Sequence, residues 1–409
     1  MAQKETYVIV GANLCGGRAV ETLRQEGFDG RVVLIGAEPE RPYERPPLSK
    51  ELLRGEGERE RIFLRSPEFY AEQEIELRLG VRVSRIDVRE RAVALEKSER
   101  LGFDKLLIAT GGRVRRLRVP GAELERVYYL RTVVDCERIA AELGGGRRVV
   151  VIGAGFIGAE VAASARMKGL EVTLLEKEEV PLGRALGAEM GRIFADIHRE
   201  RGIDLRLGTG VERLEGARRV ERVVTSSDQS VECDFVVVGV GIDPETELVE
   251  RTDIQVGNGI IVDEYCRTNV EGILAAGDVA NFPNPILGER IRVEHWSNAQ
   301  NQGVAAAKAM LGFREPYAEV PWFWSDQYDM NMQYVGHASS WDQIVIRGDV
   351  QERRFTAFYL KGGRLRAAMA MNRARDIRPC RELIQAGVQV DAKKLQDEEV
   401  NLRSLVGPA

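Results

Sequence analysis

The chain has 409 residues, 44% of them apolar and 30% charged, with a formal net charge of −5. That length predicts about two to four domains, and the composition excludes a disordered, mucin-like or collagenous chain. The acidic balance offers no global basic field for nucleic acid, and no apolar run approaches the roughly 20 residues that span a bilayer.

Residues 6–35 read as strand, turn, helix and strand: TYVIV, GANLCGG, RAVETLRQEG and RVVLI. Short Val/Ile runs of this kind suit strands buried on both faces of a parallel sheet. The turn carries Gly11 and Gly16 of a dinucleotide fingerprint, with Asn13 at the middle position. Asn tolerates unusual backbone angles, but its side chain is expected to crowd an approaching phosphate. Glu38, just past the second strand, is the available ribose carboxylate. Next comes Arg41-Pro-Tyr-Glu-Arg-Pro-Pro-Leu-Ser-Lys50. Ten of the 59 basic residues are Lys and 49 are Arg, so Lys50 stands out. The segment from Phe103 to Gly112, with Thr110 and Gly111, reads as a short strand and turn.

Residues 147–175 repeat the first unit, this time with a complete G-x-G-x-x-G at Gly153, Gly155 and Gly158. Such glycines permit a tight turn, a close pyrophosphate and close helix–strand packing, while the helix N-terminus supplies partial positive charge. Glu176 ends the following strand, where a carboxylate binds a ribose 2′-hydroxyl and repels a 2′-phosphate. NADH is therefore expected over NADPH, with Lys177 beside it a weak counter-signal.

Further on, Asp234 to Pro244 reads as a return strand, and Thr268 to Asp278 as a strand ending in a ligand-admitting Gly followed by an Asp. Arg292-Val-Glu294-His295-Trp296-Ser-Asn-Ala299 and Pro321-Trp322-Phe-Trp324-Ser-Asp-Gln327 are rare residue combinations. Segments 343–347, 355–360 and 364–371 alternate as antiparallel strands, and the end from Cys380 reads as helical. The five cysteines, Cys15, Cys136, Cys233, Cys266 and Cys380, form no close pair. That pattern argues against a disulfide scaffold and against zinc or iron–sulfur ligation. With three His in the chain, no metal site is expected. The start carries no signal-peptide pattern, and the reading is a cytoplasmic protein.

These marks, in this order, resemble the two-dinucleotide-binding flavoprotein reductases of glutathione-reductase-like fold. The resemblance is most specific to the NADH-dependent ferredoxin reductases of Rieske oxygenase and bacterial cytochrome P450 systems. It covers nearly the whole chain and implies an α/β protein with two Rossmann-like domains and a C-terminal α+β domain. The implied division is an FAD domain over 1–113 and 244–318, split by an NAD domain over 114–243, with the third domain at 319–409. Lys50 is implied to lie beside the flavin and to pair with Glu160. Glu294 and Trp324 complete the implied catalytic set, and Arg45, Asp278 and Trp296 join the FAD contacts. Basic residues Arg41, Arg65, Arg373, Arg375 and Arg378 are expected to offer a local patch to an acidic carrier.

Glutathione-reductase-like relatives carry a redox Cys pair in the first FAD-domain helix; residues 48–56 here hold no thiol, so electrons are expected to leave one at a time. The implied partner is a [2Fe-2S] ferredoxin, or rubredoxin, with NADH as donor, and no nucleic-acid or membrane partner. The chain itself is expected as a monomer or homodimer. Two alternatives stand beside this: a reductase of a quinone or ascorbyl radical, and an NADH-responsive binding protein resembling apoptosis-inducing factor.

Overall fold

The computed structural model describes residues 4–96, 99–144 and 146–406; the first and last three residues of the expected outer domains lie outside that range. Thr6–Val10 is the centre of a five-stranded parallel sheet in the order Ile273–Ala275, Lys105–Ile108, Thr6–Val10, Arg31–Gly36, Ile75–Leu79. Its central strands are buried on both faces, which is why they carry Val and Ile without alternation. The last strand of this sheet arrives only after a whole second sheet has been built.

That second sheet repeats the plan: Asp204–Arg206, Glu171–Leu175, Arg148–Ile152, Phe235–Val238 and Val127–Tyr129, all parallel. The chain leaves and re-enters the first unit through one antiparallel pair, Gly112–Val114 with Ile242–Pro244. Each sheet is crossed by a helix that begins at its Gly-rich turn, Leu14–Gln25 in one and Phe156–Met167 in the other.

The C-terminal sheet is antiparallel, in the order Trp322–Gln327, Met330–Gly336, Arg364–Met371, Arg354–Lys361, Gln343–Asp349. Three of its strands were expected from alternation. The first two form a hairpin with a two-residue turn at Tyr328 and Asp329. Helix Ile377–Ala386 covers this sheet, and a second short helix, Ala392–Gln396, follows. The α/β expectation with a C-terminal α+β domain therefore holds. Among the described residues no helix is long and apolar enough to cross a membrane.

Candidate functional site

The two Gly-rich turns do the same steric work. A Cβ at Gly16 would lie 2.0 Å from the carbonyl oxygen of Gly11, and one at Gly158 would lie 1.9 Å from that of Gly153. Only hydrogen fits, so each helix N-terminus can sit directly over its strand end. At Gly155 nothing lies within 4 Å of such a Cβ, leaving open space at the helix N-terminus for an anionic group.

Asn13 behaves differently from the expectation. Its backbone is extended, φ −113°, so no unusual angle is required. Its side chain folds back to cap the helix: Oδ1 accepts from Gly16 N at 3.2 Å and Nδ2 donates to Ala109 O at 2.5 Å. The amide is spent on the loop instead of crowding the space above it, although Asn13 still borders the cavity.

That cavity, about 470 Å3, lies between the two sheets and the C-terminal sheet. Of the expected site residues it gathers Asn13, Arg45, Lys50, Gly111, Gly155, Glu160, Asp278, Glu294, Trp296 and Trp324. Gly11, Gly16, Gly153 and Gly158 do not line it; they act through the close helix–strand packing at the two turns. Thr110 is turned away, its hydroxyl donating to Glu245 O at 2.8 Å. Glu38 is engaged beside the cavity by Arg45 Nη2 at 2.6 Å and Tyr43 Oη at 2.5 Å.

Glu176 stands apart, with Oε2 accepting from Ala154 N at 2.6 Å and Oε1 from Glu178 N at 3.0 Å. Lys177 points elsewhere; its Nζ is largely exposed and 4.0 Å from Glu178. The carboxylate therefore stays uncompensated by its neighbour in the chain.

A cluster of charges lines the first-sheet side. Arg131 Nη2 donates to Asp278 Oδ2 at 3.1 Å, and Arg45 donates to the carbonyl of Arg131. Burial, then repulsion by Arg45, holds the Arg131 guanidinium below its ordinary range. For Arg45, burial pulls downward but Tyr43 and Glu38 outweigh it, and the group ends above its ordinary range. Two guanidinium groups brought together in this way form a receptive site for a pyrophosphate. Sequence reading missed Arg131. The available signal was the capping box that follows it: Thr132 and Asp135 cap the helix Val133–Ala140 and so place Arg131 at a strand end.

Across the cavity Lys50 Nζ donates to Glu160 Oε2 at 2.8 Å and to Pro46 O at 3.2 Å, both side chains buried. Glu294 is met by Arg292 Nη1 at 2.7 Å. Trp324 packs edge-on against Trp296, centroids 5.7 Å apart, and stacks on Trp322 at 5.3 Å. His295 is half-buried against Phe323 with its Nδ1 enclosed, and this desolvation, with His337 nearby, pushes its imidazole down to about 3. A ring kept neutral in this way is a packing element and not a proton donor at neutral pH.

The five cysteines are all free and buried. Burial pushes the thiols of Cys136, Cys233 and Cys266 up to about 12 and that of Cys15, which borders the cavity, well above its ordinary value. None is poised as a thiolate.

The expected basic patch needs correction. Arg373 is buried between Asp376 and Glu398, Arg41 pairs with Glu60 and lies on Phe63, and Arg65 pairs with Glu21. Arg375 and Arg378 remain well exposed, the latter 3.3 Å from Glu382. Arg runs in sequence do not distinguish a solvated charge from one that ties two segments together.

Two Rossmann-type units opening on one shared cavity, joined to a C-terminal sheet that supplies an aromatic wall, define a two-dinucleotide oxidoreductase. The chain belongs to the pyridine nucleotide-disulphide oxidoreductase family, whose model matches residues 5–303, while a reductase C-terminal model matches 322–406. It is 41% identical to the anthranilate 1,2-dioxygenase system ferredoxin–NAD(+) reductase component of Burkholderia cepacia, over 98% of this chain and 99% of that one. Identity to rhodocoxin reductase of Rhodococcus erythropolis is 40%, covering 97% and 93%. Among solved structures, the covalent putidaredoxin reductase–putidaredoxin complex superposes with a TM-score of 0.95 at 35% identity, covering 98% of each chain. A ferredoxin reductase for the CYP199A2 system of Rhodopseudomonas palustris does so with 0.95 at 38%, covering 98% and 100%.

Proposed function

We propose that this chain is an FAD-dependent NADH:ferredoxin oxidoreductase that supplies single electrons to a [2Fe-2S] ferredoxin of an oxygenase system. The observation that carries the reading is the cavity itself. Two Gly-rich helix N-termini converge on it, with a buried Lys50–Glu160 pair and the Arg45–Arg131 guanidinium cluster already in place.

Bound FAD would supply the conversion of a two-electron hydride donor into single electrons, which no side chain provides. Arg45 and Arg131 would hold its pyrophosphate, Gly11 and Gly16 would let it approach the Leu14–Gln25 helix, and Asp278 would accept from its polyol chain. Lys50 holds a positive charge at the cavity wall, and Glu160 offsets the cost of burying it. Gly155 and Glu176 would receive the phosphates and ribose of NADH; Glu294 and Trp324 would border the nicotinamide. The absence of a close Cys pair among the described residues fits electron exit to a separate protein, and the names of the relatives point to a ferredoxin. Domain boundaries near 113, 243 and 318 are part of this reading, supported by where the antiparallel pair and the C-terminal sheet begin. A reducing cytoplasm suits five unpaired cysteines.

Purified protein should be yellow, release about one FAD per chain, and reduce cytochrome c from NADH only when a [2Fe-2S] ferredoxin is added. A colourless chain that takes up no FAD would refute the proposal. Fast quinone reduction without ferredoxin would favour a small acceptor, and a long-lived NADH complex with slow turnover would favour a sensor.

A further inference from the structure

Glu160 is reached by three donors from two distant parts of the chain. Its Oε2 accepts from Lys50 Nζ at 2.8 Å and from Ser49 Oγ at 2.5 Å, both on the turn that follows Arg45. Its Oε1 accepts from Ser325 Oγ at 2.7 Å, which comes from the first strand of the C-terminal sheet. Ser325 is fully enclosed, and Gln327 Nε2 donates to its Oγ at 3.2 Å. That incoming bond occupies an acceptor position, so the serine proton is left to point at Glu160. The backbone around the contact is also tied down. Ser164, one turn further along the Phe156–Met167 helix, donates to Ser49 O at 2.7 Å and accepts from Arg54.

We propose that Ser325 is a positioning residue for the Lys50–Glu160 pair. Its hydroxyl pins one carboxylate oxygen, so that the other faces Lys50, and the ammonium, with two N–H groups committed to Glu160 and Pro46, keeps its third toward the cavity. The C-terminal sheet thereby completes a charge pair whose two members lie in the other two domains. The inference rests on the proposed flavin site, since it concerns the charge presented there. Neighbouring charges do not duplicate the role: Arg54 is engaged with Ser164 and Glu56, and Asp326, next to Ser325 in the strand, accepts from Asn331. A hydroxyl aimed at a carboxylate also turns the positive end of its dipole toward the pair. Deleting it makes the surroundings of a flavin more negative and disfavours the reduced state.

The test uses flavin-loaded Ser325→Ala and Ser325→Thr, with the flavin midpoint potential measured by dye equilibration and reduction by NADH followed in stopped flow. For Ser325→Ala the limiting rate should fall about tenfold with NADH affinity changed less than twofold. The potential should fall by about 30 mV, the two-electron equivalent of a tenfold change in equilibrium. Ser325→Thr, which keeps the hydroxyl, should restore both. A wild-type potential or a wild-type rate in Ser325→Ala would overturn the inference, as would a threonine variant no better than alanine. A colourless wild-type chain would refute the flavin reading itself, whereas a yellow Ser325→Ala chain with an unmoved potential refutes this inference alone.

Discussion

Glu176 is held at both oxygens by backbone N–H groups, one from the Gly-rich turn and one from its own loop, so its charge is fixed at the lip of the second unit before any ligand arrives. A dianionic 2′-phosphate placed there would meet that charge, while a ribose hydroxyl would donate to it. Glu176→Ala is expected to lower the ratio of kcat/KM for NADH over NADPH about tenfold, the 1.4 kcal/mol scale of one charged hydrogen bond. Steady-state kinetics with both nucleotides check this, and an unaltered ratio would contradict the ribose assignment. The placement of Glu176 at the strand end was legible because strand, turn and acid follow a fixed spacing along one βαβ unit. Arg131 and Ser325 were not, because their partners, Asp278 and Glu160, lie more than a hundred residues away in sequence and are met only after three sheets dock. Asn13 shows the converse: the departure from Gly was visible, but its resolution by helix capping and a bond to Ala109 needed the neighbouring strand.

In the proposed function the paired helices Leu14–Gln25 and Phe156–Met167 would each serve one nucleotide. Each third glycine packs on the carbonyl of the first, and a methyl group at either position would push its helix off the strand by more than an ångström. Gly16→Ala is therefore expected to yield chain with much less bound FAD. Gly158→Ala should stay yellow but need at least tenfold more NADH for half-maximal flavin reduction. Flavin release and stopped-flow titration measure the two arms, and loss of FAD in both variants would show that the helices are not independent. These parallel units were readable from Val/Ile runs and glycine spacing. The hairpin Trp322–Gly336 was not, since its turn carries Tyr328 at φ +58° where an Asn-Gly or Asp-Gly signal is usual. A bulky residue holds that backbone angle because its ring is docked elsewhere.

The docking partner of Tyr328 joins the second unit to the C-terminal sheet. Tyr328 Oη shares a hydrogen bond with His198 Nδ1 at 2.9 Å, and Arg201 lies over the tyrosine ring at 5.3 Å. About three turns back from His198 on the helix Gly183–Glu200, Gly187 breaks the helical path at φ 78°, and a Cβ there would lie 2.5 Å from the Trp341 ring. Tyr359 Oη adds a bond to Leu186 O at 2.8 Å. The interface is thus built around a neutral imidazole: His198 is fully buried, its Nε2 has no partner, and burial pushes it down to about 4 from the usual 6.5. Protonation would put a charge into that site with the Nε2–H left unsatisfied, so acid favours the open or unfolded chain, where the ring is solvated. The sign follows from linkage. With the folded value below the unfolded one, the contribution is complete above pH 6.5 and is lost as pH falls from 6.5 toward 4. The loss reaches about 2 kcal/mol by pH 5. The melting temperature of wild-type protein, followed by tryptophan fluorescence, should therefore drop between pH 7 and pH 5. His198→Gln, less stable at pH 7, should drop by clearly less over the same interval. His295, half-buried and also held below its ordinary range, remains in the variant, so some acid sensitivity persists. Equal drops in the two proteins would show that the His198–Tyr328 contact does not carry the pH response of this interface.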